Sequence, residues 1–152
     1  MNIEDLREEI NIELESIDKI IKELNALQFE VKEKNPTIRE KTAAAAFLTQ
    51  FYNGIENILK RISRFNSVPL PSGEMWHIEL FKRFFNPPYS SLPILFDSTL
   101  ASNMSPYRKF RHVALHGYGF QMEWDRMADG IAKGEEVFSK FRENLENYLQ
   151  TL

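Results

Sequence analysis

Arg111 is followed five residues on by His116, and two residues after that by Tyr118. A guanidinium is always charged and forks onto phosphate oxygens. An imidazole titrates near neutral pH and can take or deliver a proton. Together the two could serve metal-free cleavage of RNA, in which the ribose 2′-OH attacks the adjacent phosphorus. His116 would act on a proton, and Arg111 would stabilise the negative charge developing on the phosphoryl group. The surrounding stretch, Ser105 to Phe120, reads S-P-Y-R-K-F-R-H-V-A-L-H-G-Y-G-F. From Arg108 to His116 it holds three cations (Arg108, Lys109, Arg111) and two of the chain's three histidines, with no acid. Arg108 and Lys109 are candidates for RNA-backbone contacts on charge alone.

Other readings fit the same residues. A surface helix with a solvated basic face and a histidine packed at its end would look alike. An Arg followed by His at such spacing is common by chance in a chain with nine Arg and three His; Tyr118, in an otherwise acid-free cluster, makes the pattern more specific. His112 and His116 are at the helical spacing of two metal ligands. A third ligand would have to come from Glu123, Asp125 or elsewhere, and no spacing singles one out. The expectation is therefore no metal and no cofactor. The chain has no glycine-rich phosphate loop, no H-E-x-x-H, no G-x-S-x-G and no cysteine.

For Arg111 and His116 to act on one phosphate, the chain must bring them together. On a regular helix Arg111, Leu115 and Tyr118 share a face, as do His112 and His116. Arg111 and His116 lie ~140° apart around the axis. Either the helix distorts near Gly117, or Arg111 reaches around, or a second copy completes the site. A symmetric dimer with this stretch at its interface is the simplest arrangement. Ser105 reads as the N-cap of this helix, with Pro106 at its first position and a bend expected at Gly117 and Gly119.

The supporting elements read as helices. From Ile3 to about Glu33 there is no Gly or Pro, and Ile3, Ile10, Ile17, Leu24 and Val31 recur every seven residues, with Leu6, Ile20 and Leu27 beside them. That is a long helix burying one stripe, its acids and lysines forming a solvated outer face. Asn35-Pro36 separates it from a second helix, whose start is marked by Thr37 and Glu40 at capping-box spacing. Leu48, Phe51, Ile55, Ile58, Ile62 and Phe65 give this helix its apolar face, and Glu56 and Lys60 are at ion-pair spacing. The two should form an antiparallel hairpin.

Residues 66–73 read as a loop. A shorter helix follows from about Glu74 to Phe85, with Trp76, Leu80, Phe81 and Phe84 inward and His77 as a surface or core-edge histidine. Asn86-Pro87-Pro88 ends it, and Leu92 to Met104 could form another short helix. The last helix runs from about Gln121 to Leu149 on Trp124, Met127, Ile131, Phe138, Phe141, Leu145, Tyr148 and Leu149. No strand pattern of useful length appears. The expected architecture is a single all-α domain over residues 1–152, an up-and-down bundle of four long helices plus one or two short ones.

Composition fits that picture. At 152 residues the chain can bury a real core, and twelve Phe should fill it with rings. No signal pattern opens the chain, and no apolar run approaches the ~18–20 residues needed to cross a bilayer. With no cysteine, a cytoplasmic location is expected, with no membrane partner. Net charge is −3, but residues 1–36 carry ten acids against five Lys/Arg, leaving fourteen cations against twelve acids over 37–152. A local positive site in a mildly acidic protein is consistent with that division.

The residues carry a resemblance as well. R-H-V-A-L-H-G-Y, Arg111 to Tyr118, resembles the signature of HEPN ribonucleases: Arg, a polar residue, three more, then His. Tyr118 is the addition found in the HepT-like toxin group of that superfamily. F-Y-N-G-I-E-N-I-L-K-R-I, P-S-G-E-M-W-H-I-E-L and Y-R-K-F-R-H are similar to HepT-like sequences in the same order, so the likeness spans most of residues 40–125. The segment Asn86 to Met104 does not align with the group, and access or partner choice could differ if it covers the cleft.

The resemblance implies an all-α HEPN fold that dimerises, with the motifs of two chains lining one cleft. It implies metal-independent RNA cleavage that poisons the cell. The partner it implies is a minimal nucleotidyltransferase antitoxin that adds AMP to the motif tyrosine. By that carry-over Arg111 and His116 are catalytic, His112 is the supporting polar position, and Tyr118 is the modification target. Glu56 matches the acid of the group's second helix. The competing expectation is a non-enzymatic helical HEPN module that binds a nucleotide or a partner protein through the same cleft.

Overall fold

The computed structural model describes residues 2–32 and 34–152, Phe120 by its backbone only. Among these residues the chain forms five α-helices and one 3-10 turn, with no strand. The long helices are α1 (Ile3–Val31), α2 (Ile38–Phe65), α4 (Ser98–Leu115) and α5 (Trp124–Gln150). The short elements are α3 (Trp76–Arg83) and a single 3-10 turn, Gly119–Gln121. The all-α bundle expected from the sequence is the architecture observed.

Each long helix starts and packs for reasons visible in its residues. The Asn2 side chain caps α1 by accepting from the Asp5 backbone N–H at 2.8 Å. Its buried stripe is Leu6, Ile10, Leu14, Ile17, Ile21, Leu24, Leu27 and Val31. This has the 3.6-residue period of a helix, so Leu14 and Ile21 enter the core while Ile3 stays exposed and Ile20 lies at the core's edge. The expected end at Glu33 lies outside the described residues. Thr37 and Glu40 form the reciprocal capping box that opens α2, at 2.9 and 3.1 Å. The Thr37 backbone N–H, with Lys34 beside it, holds the Glu40 carboxyl below the usual carboxylate range.

The helices α1 and α2 approach closely because Gly54 has no side chain. A Cβ there would lie 2.6 Å from the Ile17 side chain. Arg61 of α2 ties the pair together, donating to Glu9 at 2.6 Å and Glu13 at 3.1 Å. Part of the acidic face expected to be merely solvated is therefore paired across the hairpin. On the other side of α2, Gly73 at φ 92° turns the loop into α3, whose Leu80 and Phe81 join the core.

One expectation is overturned between Leu92 and Leu115. In place of a short helix over Leu92 to Met104 and a separate helix capped by Ser105, a single helix α4 begins at Ser98 and carries Pro106 inside it. Asp97 is the N-cap, its carboxylate accepting from the Leu100 backbone N–H at 2.8 Å. Leu100, Ala101, Met104 and Tyr107 are buried along one stripe that crosses the proline. The missing N–H of Pro106 removes only the hydrogen bond to the carbonyl of Ser102, an exposed residue that water can satisfy. Tertiary packing of the stripe outweighs the local break.

Residues 86–97 stay irregular but are well anchored. The backbone N–H groups of Leu95 and Phe96 both donate to the Phe84 carbonyl, at 2.9 and 3.1 Å. Phe96 stacks between Phe81 and Phe141, with ring centroids 4.5 and 5.7 Å away. The Asn144 amide donates to the Leu95 carbonyl at 2.9 Å. This segment is a strap packed on α3 and α5.

Candidate active site

Three helices each place a polar side chain where an apolar stripe would otherwise continue. On α4 the row Leu100, Met104, Tyr107 leads next to Arg111. On α2 the buried row Tyr52, Leu59, Ser63 contains Glu56, which is 2% exposed. At α3 the row of Leu80 and, just past the helix end, Phe84 leads back to His77. Packing these faces together brings Glu56, His77 and Arg111 to one point.

The geometry there is tight. Nδ1 of His77 lies 2.6 Å from Glu56 Oε2, and Arg111 Nε lies 3.6 Å from Glu56 Oε1. Arg111 Nε donates to the Asn53 side-chain oxygen, so its link to Glu56 is ionic attraction and not a second hydrogen bond. Arg111 Nη1 is 3.1 Å from each ring nitrogen of His77. The carboxylate accepts from Nδ1, and Arg111 Nη1, equidistant from both ring nitrogens, lies over the ring and not in line with Nε2 alone. Behind the imidazole lies the Trp76 ring, 3.4 Å between centroids and tilted 33°, with Lys60 Nζ 4.5 Å above the indole.

This corrects the expected Glu56–Lys60 pair. Glu56 turns inward to His77 and Arg111, because a carboxylate this deeply buried needs the hydrogen-bond donor of α3 and the guanidinium of α4. The Tyr52 hydroxyl, one helical turn before Glu56, is buried with no hydrogen-bond partner among the described residues. Burial and the nearby Glu56 charge push it well above the usual tyrosine range, against smaller opposing effects of Arg108 and Arg111.

The other motif residues lie in different surroundings. His112 and His116 project to solvent, their rings 4.9 Å apart at 67°. Among the described residues no group of three His, Asp or Glu that could hold a metal ion is present, so neither Glu123 nor Asp125 joins this pair. Helix α4 ends at Leu115 with His116 as C-cap, so Tyr118 does not share a helical face with Arg111. Tyr118 lies on extended backbone and is 67% exposed.

The turn after α4 is fixed by Gly119 more than by Gly117. A Cβ at Gly119 would lie 3.3 Å from Ala45 Cβ and from Thr42 Cα, whereas Gly117 has nothing closer than the Val113 carbonyl at 3.9 Å. Lys109 is exposed. Arg108 is half-buried, donating to Ser105 Oγ at 3.3 Å with its guanidinium 5.6 Å from the Phe81 ring.

The structure thus brings Arg111 to Glu56, His77 and Asn53, while no hydrogen bond or ion pair among the described residues joins it to His116. His77 was the residue sequence reasoning passed over. The signal was present: His77, Glu56 and Arg111 are polar groups of complementary chemistry on the inward rows of three helices.

A family model described as HepT-like protein matches residues 43–152. The chain belongs to the HepT-like family, as its residues suggested. No curated protein and no solved structure matches it. The HepT-like portion contains Asn53, Glu56, His77, Arg111, His116 and Tyr118, and α1 precedes it. Among the described residues no helix is long and apolar enough to cross a membrane.

Proposed function

We propose that the protein is the ribonuclease toxin of a toxin–antitoxin pair, cleaving RNA without a metal by attack of the 2′-OH on the neighbouring phosphorus. Arg111 receives the phosphate and balances the charge that develops on it, and His116 transfers a proton. The observation that carries this reading is the Arg111–His116–Tyr118 series within the HepT-like match, with the guanidinium held in place by Glu56, Asn53 and His77. A guanidinium fixed in advance loses little freedom when a phosphate arrives.

His112, His116 and Tyr118 stand exposed at the end of α4. Two copies meeting there would join their motifs into one cleft of the kind an RNA strand fits, with Lys109 and Arg108 contributing positive charge along it. The same exposure suits Tyr118 as the acceptor of AMP from a nucleotidyltransferase antitoxin. An added nucleotide brings bulk and a negative charge beside His116, which would repel an RNA phosphate.

Expression of wild type, Arg111→Ala and His116→Ala under tight induction, scored for growth and RNA integrity, tests the activity. Arrested growth and fragmented RNA are expected for wild type only, and equal growth with intact RNA in all three overturns the reading. Intact mass after co-expression with a nucleotidyltransferase encoded beside this chain tests the control. A single added AMP that disappears in Tyr118→Phe is expected; addition that survives this change rejects Tyr118 as the acceptor.

A further inference from the structure

Resting on the ribonuclease reading, we infer that His77 is a second catalytic imidazole, the base that takes the proton from the attacking 2′-OH. Its surroundings are those of a histidine held for proton transfer. Glu56, buried and 2.6 Å from Nδ1, fixes the tautomer that leaves the lone pair on Nε2. The Trp76 ring fixes its plane. Arg111 Nη1 lies over the ring, 3.1 Å from each nitrogen, and the imidazole retains 24% side-chain exposure. A phosphate held by Nη1, over the ring, would bring its adjacent 2′-OH to Nε2.

The step balances. Nε2 of His77 accepts the 2′-OH proton as the 2′-oxygen bonds to phosphorus. The bond from phosphorus to the 5′-oxygen breaks, and that oxygen takes a proton from the His116 imidazolium. The products are a 2′,3′-cyclic phosphate and a 5′-hydroxyl, and proton exchange with water resets both rings. The Glu56 carboxylate lies against the imidazolium formed at His77, and Arg111 offsets the charge on phosphorus. This assigns base and acid to two histidines on different helices. Arg111 then has an imidazole beside it across the α3–α4 contact, and the His116 that meets the leaving oxygen of the same phosphate is supplied by the second copy at the cleft.

The charged groups facing His77 are Glu56 from α2 and Arg111 from α4, and Lys60 of α2 lies over the neighbouring Trp76. The test is the pH–rate profile for cleavage of a labelled single-stranded RNA of mixed sequence by the full chain. Wild type should show a bell. His77→Gln should slow cleavage about a hundredfold or more and lose the acidic limb, whereas His116→Ala should lose the basic limb. Circular dichroism checks that each variant is folded. Should His77→Gln fold poorly, Glu56→Gln serves instead, with an acidic limb displaced from its wild-type position expected.

An acidic limb that persists unchanged in the folded variant overturns the assignment, even where the rate has dropped, because a merely structural role would leave it there. If wild type cleaves, Arg111→Ala and His116→Ala do not, and His77→Gln keeps its acidic limb, this inference alone fails. If wild type yields no cyclic-phosphate ends at any pH, the ribonuclease reading fails and this inference with it.

Discussion

Arg111 and His116 lie five residues apart, yet they belong to two different kinds of surroundings. Arg111 is enclosed by α2, α3 and α4, with its charge met by Glu56 and its donors directed at Asn53 and His77. His116 ends the helix in the open, beside His112 and close in sequence to the exposed Tyr118. The enclosed group is organised by contacts within one chain. The exposed group is organised mainly by the end of α4 and the seat of Gly119 on α2. The difference fits the proposed roles: the charge assigned to the phosphate is built into the core, and the groups proposed to meet RNA or an antitoxin are left outside it.

Stability should divide along the same line. Arg111→Ala leaves Glu56 buried with one partner fewer and is expected to cost about 2–4 kcal/mol in urea unfolding. His116→Ala should stay within about 0.5 kcal/mol of wild type. Equal losses for the two would erase the distinction. Gly119→Ala comes next. Its Cβ would press on Ala45 and the Thr42 backbone, so a loss of about 1 kcal/mol is expected, against about 0.5 or less for Gly117→Ala. A reversed order would mean that the turn is not held on α2 as described.

Alkali should reach the enclosed region selectively. Tyr52 keeps its proton in the folded protein well above the ordinary tyrosine value, while an unfolded tyrosine ionises near pH ~10. Its contribution to stability is therefore fully present below ~10 and is lost as pH rises beyond that value. Tyr52→Phe should flatten the fall in melting temperature between about pH 9.5 and 11, with little change at pH 7 because the hydroxyl has no partner to lose. Tyr118→Phe removes the proposed AMP acceptor and, with the ring kept, is expected to shift the unfolding midpoint less than Gly119→Ala does. A melting temperature several degrees lower would show that Tyr118 contributes to the fold.

The helices were legible in the chain because caps and stripes are local. Thr37 and Glu40 meet across one turn, and Leu48 through Ile62 keep a single period, so neither depends on distant residues. The start of α4 was not legible. Ser105-Pro106 is a strong local signal for a helix start, yet Asp97 caps the helix and the buried row from Leu100 to Tyr107 carries it through the proline. The site was half legible. Arg111, His116 and Tyr118 stood out by type and spacing. His77 did not, because a lone histidine beside a tryptophan has no pattern of its own, and Glu56 was matched to the wrong neighbour, Lys60.

The sequence by itself determined the all-α class, most helix boundaries, the absence of any cysteine chemistry and the motif that marks the HepT-like family. Each of these depends on residues within a few turns of one another or on composition. Tertiary structure decided which motif residue is enclosed and what encloses it. Glu56 and His77 are 21 residues apart, and His77 and Arg111 are 34 apart. Residues so distant in the chain meet only when three amphipathic faces close on one core. A buried carboxylate then pairs with the imidazole N–H and the guanidinium that the closure delivers, because leaving it unpaired is costly in a low-dielectric interior.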